Sequence, residues 1–183
     1  FPIFNRRDTV VGFGGRVIGE GEPKYLNSPE TPLFHKGEEI YGLGHARAAM
    51  HEAKRALVVE GYMDVVALAQ HGVGYAVATL GTATTPVHVT RLLRELRESG
   101  AELVYCFDGD AAGRKAAWRA LEVSLPLATD TNPIRFMFLP EGEDPADMML
   151  TDDGSSRLRE ALAGAVDLAV FHVRAILGDA DLS

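Results

Sequence analysis

The chain has 183 residues, 46% of them hydrophobic and 24% charged, which is long enough to bury a core as one domain plus a small attachment and too apolar for a disordered chain. Its single cysteine, Cys106, excludes an internal disulfide, and no cysteine pairs with a histidine at zinc-finger spacing. No apolar run approaches the roughly 20 residues that span a bilayer, so the composition points to the cytoplasm and away from a membrane role.

A formal net charge of -8 opposes nucleic-acid binding if it is evenly spread, but it is uneven. Before Glu38, Arg6, Arg7, Arg16, Lys24 and Lys36 stand against Asp8, Glu20, Glu22 and Glu30, and the later segments carry most of the acids. Such a chain suits a polyanion on one surface and metal ions on another.

Residues 1–45 are rich in Gly and Pro and read as short strands and ordered loops. Strand character from Val10 to Ile18 is interrupted by Gly12, Gly14 and Gly15; such glycines mark bulges or close backbone approach, and they favour a surface that touches a ligand. The spacing then predicts a helix over 46–54, strand 56–60, helix 63–71, strand 75–78, helix 86–99, strand 102–107, helix 112–124 and strand 134–138. Runs such as Ala56-Leu57-Val58-Val59 and Leu103-Val104-Tyr105-Cys106-Phe107 have the look of strands covered on both faces. After Leu150 the pattern turns helical, over 155–163 and 166–177. The expectation is an α/β fold with right-handed crossovers: a compact parallel sheet flanked by helices over 46–150, a small basic strand and loop segment before it over 1–45, and C-terminal helices over 151–183.

Ligands of open α/β sheets bind beyond the carboxyl ends of the strands, and acids stand at three such places. Glu60 ends the first buried strand, Asp108 and Asp110 end the third, and the last strand runs toward Asp144 and Asp147. Asp108 and Asp110 lie two apart on extended backbone, so their carboxylates point the same way, and Gly109 leaves room for a close ligand. Carboxylates that near repel unless a cation neutralises them, and a hard oxygen site with few protein ligands suits Mg²⁺ or Mn²⁺. Capping is the competing reading: Asp110 fits a helix N-cap, Asp144 before Pro145 fits one better, and Asp64 fits a solvated helix-start acid. Glu60 has no evident capping role. His71, His88 and His172 are scattered and read as surface or packing residues. Gly12-Phe13-Gly14-Gly15 lacks the Gly-Lys-Ser/Thr of a phosphate-binding loop.

A Glu after one strand and Asp-x-Asp after another resembles the Toprim domain, matched here by Glu60 and Asp108-Gly109-Asp110. The text Glu60-Gly61-Tyr62-Met63-Asp64-Val65-Val66-Ala67-Leu68 resembles the version found in bacterial DnaG-type primases, and Phe107 to Arg114 agrees. Upstream, Gly12-Phe13-Gly14-Gly15-Arg16-Val17, Pro23-Lys24-Tyr25-Leu26-Asn27-Ser28-Pro29-Glu30-Thr31 and Phe34-His35-Lys36-Gly37 are similar to the basic primase motif. The resemblance implies synthesis of RNA primers on single-stranded DNA from ribonucleoside triphosphates. It implies catalysis by Glu60, Asp108 and Asp110, with Mg²⁺ or Mn²⁺ held by Glu60, Asp64, Asp108, Asp110, Asp144 and Asp147. Arg16, Lys24, Tyr25, Asn27 and Lys36 would bind nucleotide and DNA, and guanosine tetraphosphate would suit the same basic groups. A zinc-binding region before this chain and a helicase-interacting domain after it are further implications. One departure concerns the last motif, which reads Asp144-Pro145-Ala146-Asp147 where the family often has Asp-Pro-Asp. Two other readings stay open: a Toprim module that binds metal and nucleic acid without catalysis, and a Toprim topoisomerase or nuclease. For a topoisomerase, none of Tyr25, Tyr41, Tyr62, Tyr75 and Tyr105 marks itself as a catalytic tyrosine.

Overall fold

The computed structural model describes residues 1–18 and 25–177; Lys24, assigned above to the basic surface, lies outside them. Three short strands, β1 (Pro2–Phe4), β2 (Val10–Arg16) and β3 (Tyr25–Asn27), form an antiparallel sheet in that order. Two glycines of β2, Gly12 and Gly14, mark close approach by the protein's own rings. A Cβ on Gly14 would stand 2.6 Å from Cε2 of Tyr62, and one on Gly12 would stand 3.3 Å from the Phe34 ring. Gly12 and Gly14 thus have a packing role.

The second sheet contains β4 (Ile40–Tyr41), β5 (Arg55–Val59), β6 (Ala76–Thr79), β7 (Glu102–Phe107), β8 (Ile134–Phe138) and β9 (Val166–Asp167), in spatial order β4-β6-β5-β7-β8-β9. The inner four strands are parallel, and the two-residue edge strands are antiparallel to their neighbours. Strand side chains alternate between faces. Val58, Leu103, Tyr105, Phe107 and Phe136 pack against α1 (Leu43–Ala53), α3 (Pro86–Glu95), α4 (Ala111–Ser124) and α7 (Leu168–Leu177). Leu57, Val59, Val104, Cys106 and Met137 pack against α2 (Tyr62–Gln70), α5 (Pro145–Met149) and α6 (Gly154–Ala163). Both faces are covered, as the continuous apolar strands required.

Two edges differ from expectation. Val166 and Asp167 pair with Phe136 and Arg135 instead of opening a helix. The Asp167 carboxylate accepts the Ala169 N–H at 3.0 Å, which delays the helix to Leu168. Ile40 and Tyr41 pair with Thr79 and Ala78, and so chain leaving the first sheet is stitched to the second. Among the described residues no helix is long and apolar enough to cross a membrane.

Candidate active site

A third apolar cluster joins the two sheets, formed by Ile3, Phe34, Tyr62 and Leu80, with Phe1, Val11, Tyr25 and Tyr41 around them. Tyr62 is its centre. Its ring stacks on Phe1 at 5.2 Å and meets Tyr41 edge-on at 4.7 Å and Tyr25 at 6.0 Å. Burial pushes the Tyr62 phenol up to about 12, so it stays a donor, and it donates to Oδ1 of Asn27. The Asn27 amide in turn donates to the Leu80 carbonyl at 2.9 Å. Both polar ends of Asn27 are therefore engaged within the protein, joining β3 to the loop after β6. Nothing in the sequence marked Tyr62 for this role, because Gly14 and Asn27 meet it only in the fold.

Tyr62 opens α2 directly after Glu60 and Gly61, which fixes the position of the Glu60 backbone. Glu60 stands at the solvent-facing end of β5. Its carboxyl is nevertheless pushed up to about 7, first by desolvation against the surrounding protein, then by the negative charges of Asp108, Asp110 and Asp64. Among the described residues no basic side chain is among the charges acting on it. Asp108 follows β7 and is raised by burial and then by Asp110 and Asp144. The structure thus draws Glu60, Asp64, Asp108, Asp110 and Asp144 into one electrostatically coupled group at the carboxyl ends of the strands. Asp147, exposed in the first turn of α5, is not among the charges acting on Glu60, Asp64 or Asp108.

Several of these acids hold backbone as well. Asp110 caps α4, accepting the Gly113 N–H at 2.7 Å, and Asp144 caps α5, accepting the Asp147 N–H at 2.7 Å. Each cap uses Oδ1. Asp64 is buried; its Oδ2 accepts the Gly61 N–H at 2.9 Å and its Oδ1 the Ala146 N–H at 3.3 Å, pinning the start of α2 to that of α5. Burial, then Asp144, pushes it to about 6 against these two bonds. Gly109 was expected to leave room for a ligand, but that space is taken: a Cβ there would run into the Leu139 carbonyl and come 3.0 Å from the Glu141 N.

Among the described residues no three His, Cys, Asp or Glu side chains converge closely enough to hold a metal by themselves. The donor chemistry fits a hard divalent cation that keeps much of its water, since such ions take one or two carboxylates beside water and phosphate oxygens. The repulsion that lifts Glu60 is what a cation would relieve.

The basic residues divide. Arg16 faces Tyr25 across the β2–β3 pair, its guanidinium 5.7 Å from the ring centroid. A Cβ on Gly61 would lie 3.7 Å from the Tyr25 hydroxyl, so Arg16 and Tyr25 border the Glu60 turn. Lys36 sits in a loop fastened to α3. The Thr85 hydroxyl donates to the Gly37 carbonyl at 2.7 Å, and Arg91 pairs with Glu39 at 3.0 Å. His88 is buried in that contact, accepting the Thr85 N–H at 3.3 Å, and burial lowers it to about 4, in keeping with a packing residue.

A strand-end group of acids on a largely parallel sheet, beside a small antiparallel sheet that carries Arg16, is a Toprim-type arrangement. Comparison with known families agrees: residues 1–47 match the DNA primase catalytic core N-terminal domain, and residues 54–136 match the Toprim domain. The chain belongs to the DnaG-type primase family, in its catalytic-core region. It is 51% identical to the DNA primase of Escherichia coli (strain K12) over all 183 residues, which span 31% of that protein. A DNA primase domain from Pseudomonas aeruginosa superposes with a TM-score of 0.86 at 50% identity, covering 99% of this chain and 55% of that one. A DnaG primase catalytic domain bound to single-stranded DNA superposes with a TM-score of 0.88 at 49% identity, covering 100% and 56%.

Proposed function

We propose that the chain forms the nucleotidyl-transfer centre of a bacterial DNA primase, which joins ribonucleotides into short RNA primers on single-stranded DNA at the cytoplasmic replication fork. The observation that carries the reading is the group of strand-end carboxylates around Glu60, coupled to one another and without a cationic partner among the described residues. Glu60, Asp108 and Asp110 would hold hydrated Mg²⁺ or Mn²⁺, one or two of them directly and the rest through its water, with Asp144 adding negative charge nearby. Bound there, the ion would neutralise phosphate charge and favour attack of a primer 3′ hydroxyl on an α-phosphate, with the bond to the β-phosphate breaking and pyrophosphate leaving. Asp64 orients the site from behind through its two backbone bonds. Glu60 must lose its proton before the cluster accepts a cation, which ties ion affinity to pH near neutrality.

Arg16 and Lys36, with Lys24, offer guanidinium and ammonium donors to template and nucleotide phosphates, and Tyr25 offers a face for base stacking. Asn27 serves this surface by fixing β3. A similar domain is described bound to single-stranded DNA, which supports binding of a single-stranded template by this chain.

Glu60→Gln and Asp108→Asn test the reading through incorporation of labelled ribonucleotides on single-stranded DNA. Each variant is expected to lose at least about a hundredfold in rate, the scale of removing one electrostatic contributor, with an unchanged circular dichroism spectrum. Incorporation retained by either variant contradicts the assignment. Nicking of supercoiled plasmid without incorporation would instead favour the nuclease reading.

A further inference from the structure

The loop that carries Lys36 is held from several sides. Phe34 and Ile40 bury its two ends, the Lys36 N–H donates to the Glu30 carboxylate at 3.1 Å, and the Thr85 hydroxyl donates to the Gly37 carbonyl at 2.7 Å. Arg91 closes it from α3. One guanidinium nitrogen, Nη1, donates both to the Glu38 carbonyl and to the Glu39 carboxylate, the latter at 3.0 Å. The Arg91 and Glu39 side chains are only 11% and 12% exposed. A buried ion pair gains little over apolar side chains of the same volume, and the Arg91 Nε is buried without a partner, a further cost. Stability alone is therefore a poor reason for this pair.

Lys36 itself stays outside these contacts. Its ammonium enters no ion pair among the described residues, and it is not among the charges acting on Glu60, Asp64 or Asp108. The chain just before Thr85 carries the Leu80 carbonyl that holds Asn27 and, from Gly81 to Thr84, lines a cavity together with Glu60. One segment, residues 80–85, thus touches β3, the Glu60 end of the sheet and the Lys36 loop. Lysine is a compact charge on a flexible stem, so it meets a phosphate at a set place only where its backbone is held.

We propose that Arg91, acting through Glu39 and the Glu38 carbonyl, is a positioning residue that holds Lys36 against a phosphate of the bound nucleic-acid strand. The role rests on the reading of Lys36 as a phosphate-binding residue. Arg91 is engaged by Glu39 and does not itself meet the strand.

Fluorescence anisotropy of a labelled oligo(dT) strand, titrated with the chain across a salt series, tests it. Each phosphate neutralised on a single strand contributes about 0.7 to the slope of log K against log salt. Lys36→Ala is expected to reduce the slope by about that amount and Arg91→Met by a similar amount. Lys36→Ala/Arg91→Met reduces it no further, because the two residues serve one contact. Arg91→Lys keeps the wild-type slope, since a single ammonium can meet both acceptors that Nη1 meets. Arg91→Met/Glu39→Met leaves no unpaired buried charge, so it keeps Tm near wild type and still shows the reduced slope; it carries the test if Arg91→Met does not fold. A purely structural Arg91 would move Tm and leave the slope of the folded protein intact. A folded Arg91→Met or Arg91→Met/Glu39→Met chain with the wild-type slope overturns the positioning role, as do additive losses in Lys36→Ala/Arg91→Met. A wild type that does not bind the strand, or Lys36→Ala with the wild-type slope, overturns the phosphate-binding reading of Lys36, and the positioning role with it.

Discussion

Glu60 holds its proton to about pH 7 because desolvation and three neighbouring carboxylates disfavour its charge. The unfolded chain releases that proton near the ordinary carboxylate range, so between about pH 4.5 and about pH 7 the folded state binds more protons than the unfolded state. Stability from this group is therefore present at the low end of the window and is lost as pH rises through about 7. Glu60→Gln removes the penalty: its Tm should exceed that of wild type at pH 8 and match it at pH 4.5. Melting curves at the two pH values check this, and a Tm difference independent of pH would contradict it. Glu60, Asp108 and Asp110 are legible in the sequence because each follows an unbroken buried strand, and a strand's carboxyl end is where a ligand meets the sheet. Asn27 and Gly109 are not legible in the same way. The partners that engage them, Leu80 and Leu139, lie far along the chain and meet them only after folding.

At the scale of elements, β2 and α2 are fitted to each other through Gly14 and Tyr62. A methyl group on Gly14 meets the Tyr62 ring at 2.6 Å, and overpacking of that kind costs about 1–3 kcal/mol. Gly14→Ala should lower Tm by roughly 2–12 °C, taking about 2–4 °C per kcal/mol for a domain of this size. In a Tyr62→Leu background the same change should cost clearly less, because contacting residues are not additive; equal costs in both backgrounds would mean the ring is not what Gly14 accommodates. The inner strands and long helices are legible from periodicity, since continuous apolar runs and amphipathic stretches carry strong signals. The two-residue edge strands are not: Ile40–Tyr41 and Val166–Asp167 are too short to show a period, and tertiary pairing alone makes them strands.

Across the whole molecule, charge is sorted by the ends of the sheet. At the strand amino ends Arg55 and Arg135 both bind Glu102, Arg55 through its Nε at 2.5 Å, so the carboxylate there is neutralised within the fold. At the carboxyl ends the acids around Glu60 have no such partner among the described residues. The net charge of -8 thus includes a concentrated negative site, with Arg16 and Tyr25 beside it and Lys36 on a segment clamped by Thr85 and Arg91. The most direct test of this arrangement is Mg²⁺-dependent GTP binding by the chain and by its Asp108→Asn/Asp110→Asn variant. Asparagine caps a helix about as well as aspartate, so the double substitution keeps the start of α4 and removes only the charge. Binding that requires Mg²⁺ in the wild type and is lost in a folded variant is the result this account predicts; binding that persists unchanged in the variant would show that these aspartates are caps and that the acid group is not the metal and nucleotide site.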